Sequence, residues 1–230
     1  MTISRFVLAG GMAVALTTGA AHAGEGGGRF YAAAAGTVSF LGGADQAIAN
    51  APAPGLTLTA INDHGAGWGG HGALGYRLSD TFRVEAEIGR TENDSDSFEI
   101  TSPFTATLSQ DGETDILRFM ANAYVDFGRS DARLRPYIGA GAGVAKIDWF
   151  RFAGTAIAPD NKFVHIDDSA TEFAWQVMAG AALSVSSRLA LTAQYRWFDA
   201  GTVDHVTELG QAVATSVDGH HVDIGVRFSF

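Results

Sequence analysis

The chain of 230 residues contains no cysteine, so no disulfide framework holds it together and a small disulfide-stapled module is excluded. It is poor in proline, with five, and their positions 52, 54, 103, 136 and 159 interrupt no strand-like segment, since a missing N–H is tolerated only in loops or at strand starts. Basic residues are scarce: 15 Lys and Arg face 25 Asp and Glu, a net charge of −10, which argues against nucleic acid as a partner. There is also no run of roughly 18 to 20 apolar residues, so a spanning helix is excluded.

What is present begins at the two ends. Arg5 precedes an apolar stretch from Phe6 to Thr18, and Ala21-His22-Ala23 has the small-x-small form of a cleavage site, so residues 1–23 read as an export leader and 24–230 as one domain. Without the leader, 14 basic side chains face 25 acidic ones, a net charge near −11. At the other end Val222, Ile224, Val226, Phe228 and Phe230 alternate with His221, Asp223, Gly225, Arg227 and Ser229, the period-two pattern of a strand with one apolar face. This ending resembles the closing strand of a bacterial outer-membrane barrel. The resemblance implies that Phe228 and Phe230 belong to the signal read by the barrel assembly machinery.

Eight segments share the period-two pattern, at about 29–40, 66–78, 81–91, 114–127, 136–148, 172–185, 188–199 and 219–230. Each is near the roughly 9 to 11 residues that a tilted strand needs to cross a bilayer. Short turns at 79–80, 129–135 and 186–187 alternate with long polar stretches at 42–65, 92–113, 149–171 and 200–218. These features predict an all-β, eight-stranded antiparallel up-and-down transmembrane β-barrel, with short turns periplasmic, long loops outside and no further domain after Phe230. Pro136-Tyr137-Ile138-Gly139-Ala140-Gly141-Ala142-Gly143-Val144 resembles the fifth-strand signature of the small outer-membrane β-barrel family, which groups opacity-type proteins, surface antigens and the membrane domain of outer membrane protein A. The resemblance implies the fold and the cell outer membrane, and a surface antigen or adhesin-like role among several.

An eight-stranded barrel is just wide enough for side chains to fill, and buried charges persist when paired. The inward parity carries Arg83, Glu85, Glu87, Arg118, Asp126, Arg196, Asp223 and Arg227, with Asn122, Tyr124 and Gln176. Equal heights on neighbouring strands pair Arg83 with Asp126, Glu87 with Arg118 and Arg196 with Asp223. Two aromatic girdles are expected, Trp68, Trp149 and Trp175 above and Phe127, Tyr137 and Phe228 to Phe230 below. His64, His71, His165, His205, His220 and His221 show no spacing that joins them to a nucleophile, so no catalytic, cofactor or metal residues are assigned. The acidic stretch 92–113 lacks the glycine and closing glutamate of a calcium loop. The expectation is a monomeric, non-enzymatic structural or surface-interaction protein whose partners are outer-membrane lipid, lipopolysaccharide and the assembly machinery. A narrow porin-like channel and a lipid-modifying enzyme are the alternatives.

Overall fold

The structure, a computed structural model, describes residues 29–42, 44–49, 55, 57–153, 165–206 and 212–230; the leader and its cleavage site lie outside the described residues. Ten strands form: β1 Phe30–Leu41, β2 Ala44–Ala49, β3 Thr57–His64, β4 Gly67–Arg77, β5 Phe82–Ser102, β6 Ala106–Asp126, β7 Leu134–Ala153, β8 His165–Ser184, β9 Leu189–Val206 and β10 Ala212–Ser229. Strands β1 and β4 to β10 make one closed antiparallel ring of eight. The last strand returns to the first along Tyr31↔Ser229 to Leu41↔Gly219, so the ring has no open edge.

Six of these strands are longer than the sequence pattern implies. From β5 to β10 they run 18 to 21 residues, about twice what a crossing needs. The stretch 92–113, read as a loop, is mostly the upper β5–β6 ladder. The stretch 42–65 contains the β2–β3 hairpin, which inserts between β5 and β10 above the ends of β1 and β4. The cause of the misreading is the solvent. Outward residues here are polar, and a lipid-facing alternation is a signal only where there is lipid.

The boundary is visible on three adjacent strands. Outward Phe82, Val84 and Ile88 give way to Arg90 and Glu92 on β5, Phe119 to Asp115 on β6, and Ile138 and Val144 to Lys146 and Asp148 on β7. Near that level β8 and β9 part. Their ladder ends at Trp175↔Asp199, where β9 and β10 shift register between Ser216 and Asp218 and Gly201 takes φ 73°, a conformation that favours glycine.

The glycines of the fifth-strand signature have a packing reason. They lie on the inward side of β7, and the large inward side chains of β6 lean across them. A Cβ on Gly139 would stand 2.4 Å from Tyr124 Cδ1, and one on Gly141 would stand 1.9 Å from Asn122 Oδ1. Gly141→Ala is therefore expected to lower the unfolding free energy of the refolded barrel by about 1 to 3 kcal/mol, the cost of overpacking. An unchanged urea midpoint would show that Asn122 moves aside freely.

Candidate functional site

The chemistry of this chain is concentrated inside the ring, in three layers. At mid-height lies a buried cluster of two arginines and two acids. Glu87 accepts from Arg118 Nε at 3.2 Å and from Asn122 Nδ2 at 2.9 Å, and is also ion-paired with Arg196. Asp223 accepts from Thr37 Oγ1 at 2.6 Å, Gln194 Nε2 at 3.1 Å and Arg196 Nε at 3.2 Å. Arg196 Nη1 also donates to Gln176 Oε1 at 2.9 Å, and Gln176 Nε2 to Asn122 Oδ1 at 2.8 Å. Strands β1, β5, β6, β8, β9 and β10 are thus cross-linked through their side chains, because ionised groups removed from water need charge balance and hydrogen-bond partners.

Below it, Arg83 Nε donates to Asp126 Oδ1 at 3.1 Å, and its guanidinium also pairs with Glu85. The guanidinium lies 3.6 Å from the centroid of the Tyr124 ring, and Tyr31 donates to Glu85 Oε1 at 2.8 Å. The structure therefore brings Arg83 to Asp126, Glu87 to Arg118 and Arg196 to Asp223. It joins the last two pairs into one network, with Arg196 shared between both acids. Arg227 stands apart from these acids, against the rings of Tyr31 and Tyr137.

Above the ion network one side of the lumen, on β6 to β10, turns apolar, while Ser39, Thr91, Asn93 and Thr114 are buried on the other. Ile116, Met120, Ala145, Ile147, Trp149, Ala174, Phe198, Ala200, Val203 and Val217 are all 5% exposed or less and pack together. Sequence reasoning missed this layer by treating the interior as polar throughout, although Ile116 and Phe198 share the inward parity of Arg118 and Arg196. Two girdle assignments are corrected for the same reason. Trp149 and Tyr137 are 3% exposed and face the lumen. Between them the inward parity of β7 is Gly139, Gly141, Gly143, Ala145 and Ile147, small residues that gave no polar signal of a lumen-facing side. Trp68 and Trp175 do face out, the latter 4.6 Å from Trp197, as do Phe127 and Phe230 at the other end.

The histidines form no catalytic arrangement among the described residues. His220 faces out and meets Tyr195 Oη through Nδ1 at 2.6 Å, whereas His221 faces in with neither ring nitrogen bonded. His71 lies inside, its Nδ1 3.8 Å from Asp223 Oδ1. The side chains of His64, His165 and His205 lie outside the described residues. On the outer surface, just above the lipid boundary, the carboxylates of Glu92, Glu113 and Asp115 come within 4.8 Å of one another. Burial and the neighbouring acids, Glu92 first, push the Glu113 carboxyl up, while Arg90 Nε donates to Asp115 at 2.7 Å.

A closed ring, a lipid-facing belt and a terminal strand that seals the barrel leave few family candidates. The family described as outer membrane protein beta-barrel domain matches residues 6–230. The chain belongs to that family. It is an outer-membrane protein, and its ring of eight antiparallel strands is the family's membrane domain. Among curated relatives it is similar to the outer membrane protein PagN of Salmonella typhimurium, 26% identical over 155 residues, covering 59% of this chain and 59% of PagN. It is also similar to RC1281 of Rickettsia conorii, a proposed adhesin, at 25% identity over 168 residues, covering 70% of this chain and 67% of that protein. The chain thus spans about three fifths of the length of PagN. Among solved structures, Neisserial surface protein A is similar at 19% identity with a TM-score of 0.49, over 90% of this chain and 100% of that one.

Proposed function

We propose that this barrel is a non-enzymatic surface-interaction protein, adhesin-like in role, whose binding face is the part of the β5–β10 ladder that rises above the lipid boundary. One observation carries the reading: the upper half of the barrel is built like a soluble domain. Its outward face is charged from Arg90, Asp115 and Lys146 upward, and its interior contains the apolar cluster around Trp149 and Phe198. A strand needs only about 9 to 11 residues to cross, so the additional length serves something outside the bilayer. A rigid scaffold that presents loops is a common way to build a binding surface. The PagN and RC1281 relationships support a surface role of this kind.

The test is adherence. Bacteria that lack their own adhesins and express this chain are expected to bind cultured epithelial cells several-fold more than the vector control. A variant in which residues 44–64 are replaced by a short turn removes the β2–β3 hairpin and is expected to lose most of the gain while remaining heat-modifiable on gels. Equal adherence of vector and wild type at matched surface expression would contradict the proposal.

A further inference from the structure

The buried polar atoms that lack a partner are not scattered. Among the described residues eleven buried side-chain nitrogens and oxygens have no hydrogen-bond partner, and eight of them lie in one sector of the lumen: Ser39 Oγ, Thr91 Oγ1, Asn93 Oδ1, Thr114 Oγ1, both Nη atoms of Arg118 and both ring nitrogens of His221. These six residues are 2% exposed or less. Register joins them. Thr114 stands opposite Asn93, with Thr91 one inward position below on β5. Asn93 leans across Gly67, where a Cβ would stand 2.3 Å from its Cγ, and its Nδ2 donates to the Ser39 carbonyl at 3.3 Å. Ser39 in turn stands opposite His221. Arg118 closes the lower side. Its guanidinium lies over Gly89, whose Cβ would come 2.9 Å from Cζ, and of the charged groups it acts most strongly on His221, ahead of Arg196, Asp223 and Glu87.

The set is rich in donors. Arg118 Nη1 and Nη2 only donate, the three hydroxyls and one imidazole nitrogen are able to donate, and of these eight atoms only Asn93 Oδ1 is an obligate acceptor. Buried donors of this kind require an acceptor, and a guanidinium most of all. A water molecule accepts two hydrogen bonds but must place two of its own, for which this sector offers few acceptors. An anion accepts from every side. The charges below are already matched, Glu87 and Asp223 against Arg118 and Arg196. A monoanion is therefore neutralised when His221 takes one proton from solvent, which also makes both its ring nitrogens donors. The other titratable group there is His71, 3.8 Å from Asp223 and also beside Arg196, Glu87 and Arg118.

We propose that Arg118, His221 and the hydroxyls of Ser39, Thr91 and Thr114 form a binding site for one small inorganic monoanion of halide size, taken up together with a proton on His221. Charge-assisted bonds from the guanidinium and the imidazolium supply most of the attraction, and the hydroxyls complete the shell. The site ties β1, β5, β6 and β10 together just above the ion network and does not depend on the adherence role.

The experiment uses the barrel refolded in a non-ionic detergent with sodium chloride or bromide, the halide being replaced stepwise by bulky gluconate at constant ionic strength. The urea midpoint is expected to rise with halide and to saturate, because an ion that binds only the folded state stabilises it. Half-saturation is expected at a concentration at least about fivefold lower at pH 6 than at pH 8, since a proton enters with the ion. Thr91→Val and Thr114→Val keep every charge and remove one donor each, and each is expected to raise the half-saturating concentration about threefold or more. His221→Gln keeps a donor and is expected to abolish the pH dependence of the halide effect. Arg129→Gln, at the exposed turn, is expected to change nothing. If Thr91→Val fails to yield a heat-modifiable barrel, Thr114→Val and Ser39→Ala carry the test. Midpoints equal in halide and gluconate, as water alone in this sector would give, overturn the proposal. So does a halide effect that is indifferent to pH or unchanged in the hydroxyl variants.

Discussion

Arg196→Ala is expected to lower the unfolding free energy of the refolded barrel by about 3 to 5 kcal/mol, the range for removing one member of a buried ion pair. Arg196 is wholly buried and is ion-paired with both Glu87 and Asp223. Its loss strips a counter-charge from each. Asp223→Ala is expected to cost less than Arg196→Ala, because Arg196 keeps Glu87 and Gln176. The double variant recovers only part of the loss, since Asp223 no longer needs a partner while Glu87 is left with Arg118 and Asn122. Urea titrations of the two single variants and the double variant give the coupling directly. In a water-filled lumen each charge would stay solvated, a pair would be worth about 0 to 1 kcal/mol, and the two effects would be small and additive.

Deletion of Phe230 is expected to remove most of the protein from the outer-membrane fraction while barely changing the purified barrel. Phe230 contributes one backbone bond, its N–H to the Phe30 carbonyl at 3.0 Å, and its ring is 48% exposed beside Phe228. One such bond is worth about 1 kcal/mol, too little to unseat an eight-strand ladder. A large assembly defect would therefore reflect recognition of the terminal strand by the assembly machinery, as proposed from its sequence. The measurement pairs the heat-modifiable band in isolated outer membranes with the urea midpoint of refolded protein. Comparable losses in both would make Phe230 an ordinary packing residue.

The membrane-crossing halves of the eight strands were legible because lipid on one side and crowded side chains on the other enforce a strict alternation. Rows such as Leu189, Leu191, Ala193 and Tyr195 against Ala190, Thr192, Gln194 and Arg196 leave only one reading. Parity together with distance from the turns also brought Arg83 and Asp126 to one height. What was not legible follows from weaker constraints. Above the lipid boundary both faces of β5 and β6 mix polar and apolar residues, so Thr91, Asn93 and Ile100 inside were not separable from Glu92 and Asp94 outside. On β7, Tyr137 and Trp149 bracket a run of Gly139, Gly141 and Gly143 alternating with Ala140 and Ala142, in which neither face carries the polar residues that mark the lumen elsewhere. Arg77 and Arg135 escaped the lumen census because they terminate strands, where a turn residue and an inward residue look alike. Their omission made the interior seem balanced at four arginines and four acids.

The central claim is that this barrel is a sealed scaffold for an outer surface rather than a conduit. The ion network of Glu87, Arg118, Arg196 and Asp223 links side chains across the lumen at mid-height, and the apolar cluster of Ile116, Trp149 and Phe198 packs inside the ring above it. Planar-bilayer recording of the refolded protein tests this most directly. The account predicts no stepwise current at moderate voltages, in wild type and in Arg129→Gln alike. Reproducible single-channel steps whose ion selectivity changes in Arg196→Ala would contradict it, since they require a continuous water path through both layers.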